Sequence, residues 1–378
     1  MDTELRDALN SIEDPQLDLT LGDVGMLGDV RTDSGAVRVE LVVPIDSWPT
    51  IELLRESISR VSNDHGAGAL EIVVRPMDET GIRALRTTLR ARMGAEATAV
   101  NGHDHGGGRA EPTPPFLERG SSTRILGISS GKGGVGKSTV TVNLAVSLAA
   151  LGHRVGVLDA DVYGFSVPKM VVAAAEPVIL GDTVVPTYAH GVRWLSMGWF
   201  VSDDQPVIWR GPLLHKAITQ FVTEAWWGEP DYLVIDMPPG TGDVALTLSQ
   251  VVPSVEMYVV TTPQPAAQRV AQRSALAAKK LRLSVRGVIE NMSYFVGDDA
   301  TRYELFGAGG GESLAESLGI PLLGQLAFVP AVREGGDTGR PVAVTEPTSE
   351  IGQAFAALAS RIDAQGPARV YRQELRLG

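Results

Sequence analysis

A chain of 378 residues with 44% hydrophobic residues is long enough for two domains with real cores, and its net charge of −12 (33 basic, 45 acidic) lacks the basic footprint of a general nucleic-acid binder. Cysteine is absent, which excludes disulfides and removes every thiolate ligand for zinc or iron–sulfur chemistry. No run reaches the roughly 18 apolar residues of a membrane span, and Met1-Asp-Thr-Glu-Leu-Arg-Asp7 has no apolar signal core, so a cytoplasmic location is expected. In chain order, residues 1–95 read as a small α/β unit. An amphipathic helix is expected over Glu4–Ile12 and a strand over Val37–Val43. Helical spacing follows at Ile51–Val61, a strand at Leu70–Val74 and a basic helix at Ile82–Met93.

Residues 96–122 change character. Gly-His103-Asp-His105-Gly-Gly-Gly and Glu-Pro-Thr-Pro-Pro contain few large apolar groups and predict a flexible linker with a stiffer proline-rich end. Residues 123–366 then read as an α/β domain. Apolar runs at Ile125–Ile128, Val155–Leu158, Leu233–Ile235, Met257–Val260 and Val285–Ile289 predict buried parallel strands of a doubly wound, mostly parallel sheet, with ligands at the strand C-termini. A closing helix is expected around Ile351–Ile362, and 367–378 form a short basic tail.

The densest signal is Ile125-Leu-Gly-Ile-Ser-Ser-Gly131-Lys132-Gly133-Gly134-Val135-Gly136-Lys137-Ser138-Thr139. A strand runs into a glycine-rich loop, then Lys-Ser, then a helical pattern, which is the context of a phosphate-binding loop. Glycines let successive amides point inward at phosphate oxygens, and the following helix adds its positive end. Residues 131–139 are the expected nucleotide cradle for ATP. Lys137 is assigned to the β- and γ-phosphates and Ser138 to Mg²⁺. The second lysine, Lys132, makes the loop similar to that of the MinD/ParA group of ATPases. That resemblance implies a lysine reaching the nucleotide of a partner subunit, hence a homodimer with a cation lent across the interface.

Asp231-Tyr-Leu-Val-Ile-Asp236 is an apolar strand ending in a carboxylate suited to Mg²⁺, which prefers oxygen ligands and keeps much of its water. Met237-Pro-Pro-Gly-Thr-Gly-Asp243 follows as a loop fit to sense the γ-phosphate. In Asp159-Ala-Asp161-Val-Tyr-Gly164, Asp161 is assigned to the attacking water and Asp159 to an outer contact with Mg²⁺. The two roles are interchangeable on sequence alone. Asn291 is expected at the adenine edge, with a turn-forming asparagine as the alternative.

Taken together, Gly-Lys-Gly-Gly-Val-Gly-Lys-Ser (131–138), Asp-Ala-Asp-Val-Tyr-Gly (159–164), Trp-Arg-Gly-Pro (209–212), Asp-Met-Pro-Pro-Gly-Thr-Gly-Asp (236–243), Thr-Thr-Pro-Gln (261–264) and Glu-Asn-Met-Ser-Tyr-Phe (290–295) resemble the Mrp/ApbC family of iron–sulfur cluster carrier ATPases. Glu13-Asp-Pro15, Val24-Gly-Met26 and Pro76-Met-Asp-Glu-Thr-Gly81 resemble the small iron–sulfur-assembly domain often fused to it. The resemblance implies an ATP-hydrolysing dimer serving iron–sulfur assembly proteins or apoprotein clients. It also implies a Cys-x-x-Cys pair after the Asn-Met-Ser block, where this chain has Phe295-Val-Gly-Asp-Asp299 through Phe306, and a Cys-Pro where it has Trp48-Pro49. Asp298, Asp299 and Glu304 offer only hard oxygen ligands, which do not replace thiolates. The expectation is therefore an ATPase of this family without cluster ligands of its own. The alternative is a ParA/MinD-like switch whose dimerisation recruits a protein partner, with neither nucleic acid nor membrane expected as a ligand.

Overall fold

The computed structural model describes residues 2–33, 36–94, 114–118, 120–162, 164–172, 176–200, 211–240, 243–252, 254–297, 299 and 301–368. His103, His105 and most of the linker, Tyr163, Trp209-Arg210, Thr241-Gly242, Asp298 and the 369–378 tail lie outside them. The chain divides into two compact units: Met1–Ser121 with Ala173–Trp194 and Gln220–Glu229, and Ser122–Val172 with Leu195–Thr219 and Pro230–Gly378.

In the first unit, strand Ala36–Val43 pairs antiparallel with Leu27–Asp33 and parallel with Ala69–Pro76. The period-two alternation of Ala-Val-Arg-Val-Glu-Leu-Val-Val turns Val37, Val39, Leu41 and Val43 to the core and leaves Ala36, Arg38, Glu40 and Val42 on the other face. Helix Ile51–Asp64 makes the crossover that a parallel pair requires. The helices Asp2–Asn10 and Glu79–Arg92 are also present, the latter capped by Asp78 accepting from the Gly81 amide. The first helix ends at Asn10, two residues before the expected Ile12. There the chain turns into a short ladder between Glu13–Asp14 and Leu19–Thr20. Strand Leu27–Asp33 was not expected, since Gly28, Asp29, Arg31 and Asp33 break its apolar pattern. The core draws Leu9, Leu41, Leu54, Ile58 and Leu89 together with Val178, Leu180, Val185 and Trp226, which lie far along the chain.

Asp14 organises this unit's first turn. Fully buried, it accepts from the amides of Gln16 and Leu17, from Trp48 Nε1 at 2.8 Å and from Thr50 Oγ1 at 2.6 Å. Arg193 is buried nearby, donating to the carbonyls of Pro15 and Gln16 and pairing with Asp18 at 3.4 Å. Trp226 Nε1 donates to the Leu17 carbonyl at 2.8 Å.

In the second unit, Val155–Asp159, Tyr232–Asp236, Arg124–Ser130, Glu256–Thr261, Ser284–Glu290 and Leu322–Gln325 lie side by side in that order, all parallel. With Thr187–Ala189 and Val192–Ser196 they make an eight-stranded, mostly parallel sheet, and each predicted central strand is present. Strands Arg124–Ser130, Val155–Asp159, Tyr232–Asp236 and Glu256–Thr261 are buried at every position, which is why they read as unbroken apolar runs. Helix Lys137–Ala150 is buried along most of its length, and Glu350–Ala364 packs on it. At the strands' N-terminal ends, Arg124 grips Glu256 with two contacts of 3.1 and 2.7 Å. It also donates to Tyr232 Oη, Tyr258 Oη and the Ile362 carbonyl, tying the last helix to the sheet.

Candidate functional site

The parallel register sets the chemistry at the opposite end of the sheet. Asp236 lies beside Ile128 on one neighbouring strand and beside Asp159 on the other, so two carboxylates finish adjacent strands at the C-terminal crevice. The loop after Ser130 enters the same crevice and turns through Gly134 and Gly136, both at φ +78°, where a side chain would be strained. A Cβ at Gly133 or Gly134 would meet nothing within 4 Å, so this stretch of backbone borders open space. Gly131 is the opposite case. A Cβ there would collide with backbone atoms of Val270 and Ala271, so glycine lets the loop seat directly on helix Pro265–Lys280.

Lys137 opens the helix behind the loop, with Gly136 as its left-handed N-cap. Its side chain is 6% exposed and holds Asp236 Oδ1 at 2.6 Å and Asp161 Oδ2 at 3.5 Å. Ser138 Oγ donates to Asp236 Oδ2 at 2.5 Å and Thr141 Oγ1 donates to Oδ1 at 2.8 Å. Thr141 was not anticipated. It sits one helical turn after Lys137, which is the only hint the sequence carries.

The two acidic residues of the Asp-Ala-Asp stretch separate. Asp161 lines the cavity beside Lys137. Asp159 is fully buried below it, accepting from Ser196 Oγ at 2.9 Å and from the amides of Asp161 and Val167. Burial, and then the neighbouring Asp236 charge, push the Asp159 carboxyl up to about 7. Asp159 thus holds the loop that presents Asp161. Its partner Ser196 follows no motif and was missed.

Lys132 is half-buried, its Nζ 3.3 Å from Gln264 Oε1 in the same chain. The Gly240 amide donates to the Ser130 carbonyl, and Ser274 Oγ donates to the Gly240 carbonyl, linking the loop after Asp236 to the phosphate loop and to helix Pro265–Lys280. Asn291 Nδ2 donates to the Val135 carbonyl at 2.9 Å, bracing the loop from behind. Met292, next in the chain, takes φ +55°, a conformation rare outside glycine and asparagine.

Gly131 and Val135 apart, the loop borders a cavity of about 560 Å³ whose walls include Lys132, Gly133, Gly134, Lys137, Ser138, Asp161, Pro238 and Pro239. A second cavity of about 430 Å³ shares Gly136, Thr139, Ser166 and Met170 with it and adds Asn291, Met292, Phe328, Val329 and Arg333. The first chamber brings Lys132, Lys137 and the loop backbone together, which suits a phosphate chain. The second sets Met292, Phe328 and Val329 beside Asn291 and the charged Lys169, Arg333 and Asp337, which suits a heterocycle with polar edges. Phe328, Val329 and Arg333 carry no sequence signal.

Among the described residues no group of three or more His, Asp or Glu side chains is placed to hold a metal. Asp299 is engaged by its own hairpin, accepting from Thr301 N, Thr301 Oγ1 and Tyr303 Oη. The segment where a cysteine pair was looked for, strands Phe295–Val296 and Arg302–Tyr303, is closed by these bonds and by aromatic contact between Phe295 and Tyr303.

Comparison with known proteins agrees with this geometry. Residues 121–363 match the family described as ParA: NUBPL iron-transfer P-loop NTPase. The chain is 38% identical to the iron–sulfur cluster carrier protein of Mycobacterium tuberculosis over 97% of its own length and 94% of that protein's. It is 37% identical to the carrier protein of Bacillus subtilis over 96% and 97%. Among solved structures it is similar to the Archaeoglobus fulgidus nucleotide-binding protein in complex with ADP. That match has 32% identity and a TM-score of 0.52, covering 61% of this chain and 91% of that one. The Pyrococcus furiosus cell division ATPase MinD matches at 25% identity and a TM-score of 0.50, covering 64% and 99%.

Proposed function

We propose, from the premise that this chain belongs to the ParA-type family of NUBPL iron-transfer P-loop NTPases, that it is an Mg²⁺-dependent ATPase acting as a homodimer in iron–sulfur protein maturation. Cluster ligands come from its partners, since it has no cysteine. The observation that carries the reading is the Lys137–Asp236–Ser138 constellation at the mouth of an open glycine loop. The ADP complex of the A. fulgidus protein supports a nucleotide in this cavity.

A serine hydroxyl beside a carboxylate is the hard-oxygen donor pair that suits Mg²⁺, so Ser138 and Asp236 are the residues that would hold it. A Mg²⁺ ion held by this pair would supply positive charge against the triphosphate. The chain supplies the rest. Amides from Gly133 to Thr139 cradle the phosphates, and Lys137 turns from the two carboxylates to the phosphate oxygens. Asp161 orients water against the γ-phosphorus and takes its proton as the bond to the ADP oxygen breaks. Asp159 keeps Asp161 in register, and Asn291 both braces Val135 and borders the adenine. Lys132 leaves Gln264 to reach the nucleotide of the partner subunit, cancelling charge at the transferring phosphoryl group.

The test combines turnover with molar mass. With ATP and Mg²⁺ the Asp161→Ala variant accumulates as a dimer by light scattering, and wild type releases phosphate only while Mg²⁺ is present. A chain that stays monomeric when saturated with ATP overturns the reading.

A further inference from the structure

Helix Glu79–Arg92 carries Arg83, Arg86, Arg90 and Arg92 against a single glutamate. Two of the four are neutralised, Arg90 by Asp182 and Arg92 by Asp23 at 3.7 Å. Arg83 and Arg86 have no ion pair among the described residues. Three residues apart, they share one helix face, where like charges repel.

The two guanidinium groups border a cavity of about 370 Å³ completed by Met77, Glu79 and Ile82. Arg86 is held in place without a counter-charge. It lies over Gly181, at φ +68° in the turn between Val178–Leu180 and Thr183–Val185, where a Cβ would collide with the guanidinium. The cavity therefore offers two planar cationic forks, one kept in position by packing, above a floor of methionine and isoleucine.

Each element of that description selects a ligand. Arginine forks bind carboxylates through paired N–H···O bonds. The Met77–Ile82 floor accepts an aliphatic side chain, methionine adapting to its shape. Among the described residues the lining holds no aromatic side chain on which a base could stack, which disfavours nucleic acid. We propose that Arg83, Arg86 and the Met77–Ile82 floor dock an acidic, leucine-bearing segment of a partner protein onto the N-terminal unit. This does not rest on the nucleotide reading.

The test uses the full chain and a fluorescein-labelled peptide of alternating Glu, Leu and Asp, followed by anisotropy. Wild type binds it, and added salt weakens the binding. Arg83→Glu/Arg86→Glu lowers affinity at least about 10-fold, the loss of one charge-assisted contact or more. Arg83→Lys/Arg86→Lys lies between, because lysine keeps charge and loses the fork. ATP turnover and the thermal midpoint, measured on the same samples, stay at wild-type values. Three results overturn the proposal: equal binding by wild type and the charge-reversed variant, equal binding of a leucine-free polyglutamate, or tighter binding of a single-stranded oligonucleotide than of the peptide.

Discussion

Lys137 and Lys132 stand five residues apart in one loop and meet different environments. Lys137 is buried against two carboxylates, whereas Lys132, among the described residues, donates to the amide oxygen of Gln264. Lys137→Ala removes the charge-assisted bonds to phosphate, each worth about 1.5–3 kcal/mol, and weakens ATP binding about 100-fold by calorimetry. Lys132→Ala leaves binding within a few-fold of wild type and lowers turnover by about 10³ while abolishing ATP-dependent dimers. Turnover near wild type in that variant removes the trans-lysine role. Asp159 gives a pH signature. Its ordinary value is 3.8 and burial beside Asp236 lifts it to about 7, so between those limits the unfolded chain gives up the proton before the folded one does. Ionisation of Asp159 therefore erodes stability as pH rises toward 7. Asp159→Asn mimics the protonated carboxyl, so its melting-temperature difference from wild type, without nucleotide, shifts in the variant's favour from pH 4 to pH 7. A difference independent of pH refutes this.

Among the elements, the central strands were legible because burial on both faces leaves nothing but apolar residues between their ends, and the phosphate loop because its chemistry is consecutive in the chain. The edge strand Leu27–Asp33 was hidden by its glycine and charges. The cavity beyond Asn291 was hidden because Phe328, Val329 and Arg333 join it only through folding. Between Asp159 and Asp161, the presence of Asp161 in the cavity wall supports the water-facing role proposed for it. A buried pair at the far end of the sheet makes an element-scale prediction. Arg124→Ala strands Glu256, which among the described residues keeps Arg286 at 3.4 Å as its cation, and costs about 3 kcal/mol in urea unfolding. Arg124→Met with Glu256→Met together costs much less, because no charge is left uncompensated. If the double variant is as unstable as the single one, the network is not an ion pair in energetic terms.

For the whole molecule, what the sequence concealed is that the first unit takes two later segments into its core. Val178, Leu180, Val185 and Trp226 follow no pattern that would assign them there, because the contacts that place them span much of the chain. Trp226→Ala removes a large buried ring and its bond to Leu17, so a loss of about 3–5 kcal/mol is expected for that unit by thermal unfolding. Residues 1–94 expressed alone, lacking those segments, are expected to unfold without a cooperative transition, and a sharp calorimetric peak from that piece counts against this. The chain passes back and forth between its units rather than finishing one before starting the other. Severing the stretch between Gly94 and Pro114 therefore does not liberate a module. The nicked halves stay associated through non-covalent packing alone. Produced from separate messages, they should find each other and reconstitute, as complementary fragments of a single fold do.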